Sequence, residues 1–440
     1  MTAESPATVN PHYLDHVVAT SVSSEVEVTE EIVSGNGIRL LAKGARVDAA
    51  MRERLLEHKL HKPLEDCVQV VGGVVAERFE PIGEILLDKH RLLRALCASD
   101  RSLSAPASLA ALSLSPPMRS LLTVYAQSQE GRLDHAVGVA MLALALARRL
   151  LPGEIDRHHV IATAGLVHDV GELYIDPAYL RRDARLDADQ WRHIVTHPLV
   201  GHRVLRDMVG AGPAVADAVL LHHERLDGFG YPRGVGGEAF TNDGQVLAVS
   251  EWLMAMVESG QSPLAHARMA DRLVPGEIGP ALLQAIAAAA RQATDVPVEI
   301  SSAPPLEQAV PRIVHLASTL QRFGDLRPLI VERIGQAGPG LRSVLEAGVR
   351  RLLRIQAFFS STGLDVSDTQ ALLGELAALR DPEVYVEIMT LVGELEWRLR
   401  EVERGQRLRA SLLPAPERAV IEDLLARLKG APAAATTADS

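Results

Sequence analysis

The longest uncharged apolar run in the chain is AVGVAMLALALA, Ala136–Ala147. It falls short of the roughly 18–20 residues that a helix needs to span a bilayer, so it has to be buried in protein rather than lipid. Hydrophobic residues make up 47% of the chain but aromatics only 3%. A core built around such a run must therefore consist of Leu, Val, Ala and Ile, which suits packed helices. From Met118 to about Ala293 the helical period dominates, punctuated by Gly and Pro, and from Leu306 to Lys429 a further region is wholly helical. The fold class expected is mainly α.

At 440 residues the chain exceeds one ordinary domain, and about 150 residues per domain gives two or three. The 45 Lys+Arg against 56 Asp+Glu leave a net charge of −11. That argues against a DNA or RNA polymer as partner, since sequence-independent binding runs on a Lys/Arg surplus. Cys67 and Cys97 are the two cysteines, which excludes a disulfide framework and a cysteine-based zinc knuckle. Any zinc, iron or manganese would have to be held by the 16 histidines and by carboxylates. The start, MTAESPATVNPHYL, lacks the basic and apolar regions of a secretory signal. A cytoplasmic protein without a membrane span is expected.

Residues 1–13 read as a flexible tail. A small β-rich module follows over 14–80: EVEVTEEIV alternates like a strand, Gly35-Asn36-Gly37 marks a turn, IRLLA returns, Asp48 opens a helix to about His58, and CVQVVGGVVA forms another strand. Residues 81–117 hold a helix, GEILLDKHRLLRALCA, and a Ser/Ala/Pro-rich linker, SDRSLSAPASLAALSLSPP. A helical domain occupies 118–300, a C-terminal helical region 305–430, and a second tail 431–440. In the C-terminal region Asp381-Pro382 is an N-cap followed by a first-turn proline. Tyr385, Ile388, Val392, Leu395, Leu399 and Val402 then follow heptad spacing. A dimerising coiled coil would use that seam, and so would a helix packed within a bundle; the short seam favours the bundle.

The chemistry concentrates in the central domain. His135 lies near the start of RLDHAVGVAMLALALARRL, and His168-Asp169 near the end of VIATAGLVHDVGELYI. His197 precedes a proline at a helix start, and His222-His223 end a helix ahead of a glycine-rich loop. One histidine on an apolar helix is more often a satisfied core residue than a ligand. Burying this many imidazoles without partners would be costly, and a shared metal site removes that cost. A carboxylate such as Asp169 has two oxygens and can bridge two cations.

The order His135…His168-Asp169…His197…His222-His223…Gly230-Tyr231-Pro232 resembles the HD-GYP branch of the HD-domain metal-dependent phosphohydrolases. HDVGE is similar to that family's HD-x-G-K motif, and HHERLDGFGYPRGVGGE to its HHE-x-x-D-G-x-G-Y-P-x-G signature. VLAVSEWLMAM resembles the segment that supplies the last ligand, usually an Asp. The resemblance covers about Leu121–Ala265. It implies an all-helical HD-type phosphohydrolase core holding two divalent metal ions, iron or manganese, with zinc also compatible. It assigns His135, His168, Asp169 and Glu251 to one metal, and bridging Asp169, His197, His222 and His223 to the other. It implies hydrolysis of cyclic di-GMP to pGpG or GMP in bacterial signalling. Asp169 and Glu172 are the candidate catalytic residues, and Asp227, Gly228, Gly230, Tyr231 and Pro232 the candidate substrate rim. Two cations lower the pKa of water and stabilise charge on the attacking and leaving oxygens, so no Ser or Cys nucleophile is needed.

The chain departs from the family pattern in several places. Glu172 stands where the family has a Lys expected to face the substrate phosphate. Reversing that charge at roughly 6 Å and an effective dielectric of about 20 costs about 5 kcal/mol of interaction. Four residues after His168, Glu172 would share a face with it on a continuing helix and could ligate or orient a metal; it could also be a solvated helix-end residue. Glu251 replaces the usual Asp, Met254 a second Asp, and QSPLAHARMADRL the usual Arg-Pro-Tyr-Arg run. Gly131 occupies the position of a third-metal Glu, so two metals are expected. The leading reading is a cyclic di-GMP phosphodiesterase. The alternative is a weak or inactive metal-binding relative serving as a signalling scaffold, with a homodimer or a signalling protein as partner through the C-terminal helices.

Overall fold

The computed structural model describes residues 7–98, 103–181, 183–184, 186–260, 262–272, 276–293, 306–364, 374, 378 and 381–430. It is mainly α, as expected. None of its helices is long and apolar enough to cross a membrane among the described residues. Two compact units emerge: 1–186 with 193–259 and 277–296, and 187–192 with 260–276 and 297–440.

The first unit opens with strand β1 (Ala7–Thr8) and helix α1 (Pro11–Ser23). The expected N-terminal tail is thus ordered from Ala7, because β1 pairs with β5 (Lys59–Leu60) and Val9 is buried; residues 1–6 and 431–440 lie outside the described residues. Asn10 caps α1, its Oδ1 accepting from the N–H groups of His12 at 2.9 Å and Tyr13 at 3.1 Å. EVEVTEEIV is two strands, β2 (Val26–Val28) and β3 (Ile32–Val33), with different partners. β3 pairs with β4 (Arg39–Leu41) around the expected turn, and β2 with β6 (Val68–Val70). Between them α2 (Ala49–Leu56) starts at its Asp48 cap, and α3 (Leu64–Cys67) leads into β6. The glycines after Val70 end the strand that CVQVVGGVVA was expected to continue.

The expected helix beyond residue 80 is two, α4 (Phe79–Lys89) and α5 (Arg91–Cys97), broken at His90. The Ser/Ala/Pro-rich stretch is not simply a linker. Ser104 caps a helix, α6 (Ala105–Ala110), whose Ala105 and Leu109 are buried; residues 99–102 of that stretch lie outside the described residues. Next come α7 (Pro116–Ser128), α8 (Arg132–Leu150) and α9 (Ile155–Val167). A 3-10 turn (Val170–Tyr174) then leads to α10 (Ala188–Ile194), α11 (His197–Arg206) and α12 (Gly212–Leu221). Beyond these lie α13 (Asn242–Ser259), α14 (Pro263–Arg268) and α15 (Pro280–Gln292).

Helix α8 is the axis of the first unit. Helices α4, α5, α6, α7, α9, α13 and α15 all pack on it, which is why Ala136–Ala147 can be apolar all round and wholly buried. Each buried Leu there contributes about 1.5–3 kcal/mol. The small residues let helices approach: a Cβ on Gly165 of α9 would lie 2.6 Å from Ala140 Cα of α8. That contact sets the end of α9 beside the start of α8.

The second unit takes in most of α10 and all of α14, together with α16 (Leu306–Gln336), α17 (Pro339–Ser361), α18 (Pro382–Ala410) and α19 (Ala415–Leu428). The heptad seam of α18 is consumed within it. Val392, Leu395 and Val402 are buried in a core with Leu316, Phe323 and Ile355, and Tyr385, Ile388 and Leu399 pack against that core. Helix α14, from the run that departs from the family pattern, packs on α18, with His266 Nε2 3.6 Å from Glu394 Oε2.

Candidate metal centre

Helix ends place the histidines. α8 begins after Gly131, which is left-handed at φ 84°, and His135 lies in its first turn. His168 closes α9, Asp169 leaves helical geometry at φ −99° and ψ 7°, and the chain tightens into the 3-10 turn. His197 opens α11 ahead of Pro198, and His222 closes α12. A Cβ on Gly171 would lie 2.0 Å from the His197 carbonyl oxygen, so the turn that follows Asp169 rests directly on the start of α11.

Three rings have their tautomer set by a carbonyl three residues back. Nδ1 of His168 donates to Gly165 O at 2.9 Å, that of His197 to Ile194 O at 2.8 Å, and that of His222 to Val219 O at 2.6 Å. In the neutral ring this leaves Nε2 as a lone pair. Those lone pairs converge. His197 Nε2 is 3.0 Å from His222 Nε2, and His168 Nε2 is 3.3 Å from His135 Nε2. Asp169 lies between them. Its Oδ1 is 3.3 Å from His197 Nε2 and 3.4 Å from His222 Nε2; its Oδ2 is 3.2 Å from His168 Nε2 and 3.9 Å from His135 Nε2. Glu251 Oε2 is 3.1 Å from His135 Nε2 and 3.2 Å from His168 Nε2.

With the rings neutral, acceptor faces acceptor at these distances, which is repulsive unless a proton or a metal ion stands between them. Donor atoms of Asp169, His197, His222 and His223 lie within 4.8 Å of one another, and so do those of His135, His168 and Glu251. The residues present therefore fit divalent ions, with mixed imidazole and carboxylate donors and one Asp169 oxygen turned to each group. The electrostatics agree. Burial works against protonation of His135 and His168, yet Glu251 and Asp169 outweigh it and push them up to about 11 and about 10. Burial would raise Asp169 and Glu251, but the histidines beside them hold both carboxyls well below the usual range. Burial and the neighbouring rings depress His222 and His223.

Glu172 belongs to neither group. The helix that would have carried it onto the His168 face stops at Val167, because the chain turns at Asp169. It is not a solvated helix-end residue either: its side chain is 19% exposed and its Oε2 is 2.7 Å from Nη1 of Arg132. Burial and Asp169 raise its carboxyl, while Arg132 opposes them.

The glycine-rich loop closes over one side. Tyr231 stacks on His223 with ring centroids 4.6 Å apart, its N–H donates to His223 O at 3.0 Å, and its bond to Pro232 is cis. Asp227 turns inward, with its side chain 1% exposed and Oδ1 accepting from Phe229 N–H at 3.0 Å. Gly228 is left-handed at φ 73°, and Gly230 lies against the backbone of His223–Arg225.

Sequence reasoning gave no role to four side chains. Glu224, 2% exposed, accepts from the N–H groups of Arg233 at 2.7 Å and Val235 at 3.1 Å and so anchors the loop. Glu258 Oε1 is 2.8 Å from His135 Nδ1; two helical turns after Glu251, it was findable by spacing. Arg132 lies one turn before His135. Glu277 pairs with Arg225, a contact between segments far apart in sequence that carries no local signal.

Residues 132–256 match the family profile of the HD domain. The resemblance to the HD-GYP type thus holds for this part of the chain. Among relatives, a 3'3'-cGAMP-specific phosphodiesterase 3 of Vibrio cholerae is 25% identical over 246 residues, 54% of this chain and 53% of that protein. A cyclic di-GMP phosphodiesterase of Pseudomonas aeruginosa is 38% identical over 112 residues, 25% of this chain and 27% of its own length. The cyclic di-GMP phosphodiesterase response regulator RpfG of Xanthomonas campestris is 28% identical over 132 residues, 29% of this chain and 32% of its own. The chain thus spans about half the length of the first of these and about a third or less of the others.

Proposed function

We propose that the chain is a metal-dependent phosphodiesterase that opens a cyclic dinucleotide, with cyclic di-GMP as substrate and pGpG or GMP as product. The observation that carries this reading is the pair of donor groups meeting at Asp169. Asp169, His197, His222 and His223 would hold one divalent ion, and His135, His168, Glu251 and the second Asp169 oxygen another. Iron or manganese suits this donor set, and zinc is compatible. When bound, such ions supply Lewis-acid activation of water and neutralise charge on a phosphodiester. The side chains do the rest. Carbonyl-anchored Nδ1 protons keep the rings from rotating, and Glu224 and Asp227 hold the loop so that Tyr231 walls the His223 side. The relatives named for cyclic di-GMP and for 3'3'-cGAMP support this substrate class.

The test is incubation of metal-loaded protein with cyclic di-GMP and, separately, with 3'3'-cGAMP, followed by separation of products. Linear dinucleotide is expected from cyclic di-GMP. Asp169→Ala should lose both the activity and most of the bound metal by elemental analysis. Opening of 3'3'-cGAMP alone would move the substrate assignment within the class. A protein that holds two metals and leaves both nucleotides intact would be the signalling scaffold instead.

A further inference from the structure

We infer that Arg132 is a phosphate-binding residue of this site and that Glu172 is its positioning residue. The inference rests on the proposed phosphodiesterase reading and adds to it the group that receives the anion.

Arg132 is the first residue of α8, one turn before His135, so the helix that delivers a metal-facing imidazole delivers the guanidinium to the same end. The side chain is 12% exposed and constrained from two sides. Its Cζ lies 4.8 Å from the ring centroid of Tyr125, and its Nη1 is 2.7 Å from Glu172 Oε2. The turn carrying Glu172 starts at the bridging Asp169, and Asp169 acts electrostatically on Arg132.

A guanidinium has five N–H donors in a planar fork. Glu172 meets its Nη1, and among the described residues the buried Nε has no hydrogen-bond acceptor. A cation with donors left over is costly to bury beside a single carboxylate. A phosphate oxygen would accept those donors, and the fork matches its geometry. Tyr125 and Glu172 remove the side chain's rotamer freedom before the anion arrives. Glu172 therefore need not repel the substrate, because Arg132 stands against its charge.

The experiment uses the full chain loaded with manganese. It compares wild type, Arg132→Lys, and the double variant Arg132→Met with Glu172→Gln, which removes both charges so that neither is left buried alone. Inorganic phosphate binding is titrated by calorimetry, metal content is measured on the same samples, and KM and kcat are read with cyclic di-GMP. The double variant should keep wild-type metal content and melting temperature and bind phosphate about ten- to a hundredfold more weakly. KM should rise by a similar factor, and Arg132→Lys should recover part of both. Unchanged phosphate affinity in the double variant, loss of its metal, or a wild type that binds no phosphate would each overturn the inference. Failure of the phosphodiesterase reading is distinguishable: wild type would bind phosphate with the Arg132 dependence intact yet leave the cyclic dinucleotides unopened.

Discussion

At the residue scale, the centre is a set of side chains whose protons compete with a cation. His135 and His168 are raised to about 11 and about 10 by Glu251 and Asp169, so at neutral pH the metal-free rings hold protons that an ion must displace. Raised values stabilise the metal-free fold fully below the unfolded value of about 6.5. That stability is lost as the pH climbs through about 10 to about 11. Metal affinity should accordingly rise from pH 6 towards about 10, with on the order of one to two protons released per chain at pH 7. Calorimetry in buffers of different ionisation enthalpy reads that number, and a heat independent of buffer would contradict it. Glu258 makes a second prediction. It holds His135 by Nδ1 at 2.8 Å, so Glu258→Ala should weaken retention of one metal by about ten- to a hundredfold against a competing chelator. Equal retention of both metals would mean that the contact does not orient the ring.

At the element scale, the 3-10 turn after Asp169 is the joint that everything else loads. Its Gly171 meets the His197 carbonyl of α11, and its Tyr174 is held from the N-terminal module. Tyr13 stacks on the Tyr174 ring with centroids 4.8 Å apart, Glu65 accepts from its hydroxyl, and Asn10 Nδ2 donates to its carbonyl at 3.1 Å. Gly171→Ala would press a methyl into backbone that no rotamer change can relieve. It should cost about 1–3 kcal/mol in denaturant unfolding and lower metal occupancy, since the turn must lift Asp169 away from His197. A variant with wild-type stability and metal content would show that the turn has room. Helix α1 was missed although Asn10-Pro11 is a readable start, a cap followed by a first-turn proline. Its β-branched residues and the strand-like segment after it hid the signal. The broken strand EVEVTEEIV was misread for a different reason: alternation reports that both halves are half-buried, not that they share a partner.

At the scale of the whole chain, metal binding should stabilise the first unit only. Seven donor residues from α8, α9, the turn after it, α11, α12 and α13 converge there, whereas the core of the second unit is apolar packing among α16, α17, α18 and α19. Ions at about a hundred times their dissociation constant add about 2.7 kcal/mol, so a chelator should lower one melting transition by about 5 °C or more. The other transition should stay in place. A uniform shift of all unfolding would contradict the separation.

The sequence by itself determined the helical class, the starts of α8 and α11, the end of α12, and the ligand candidates, because each depends on short-range patterns: period, caps, prolines and a dense motif block. It could not determine what faces what. That Asp169 turns one oxygen to each histidine group depends on Gly165 letting α9 close on α8 and on Gly171 seating the turn on α11. That Glu172 meets Arg132 instead of a metal depends on α9 stopping at Val167, since only a continuing helix would have carried it onto the His168 face. Long-range approach is decided by packing, in which two backbones compete for the same few ångströms. Only the tertiary structure holds that information.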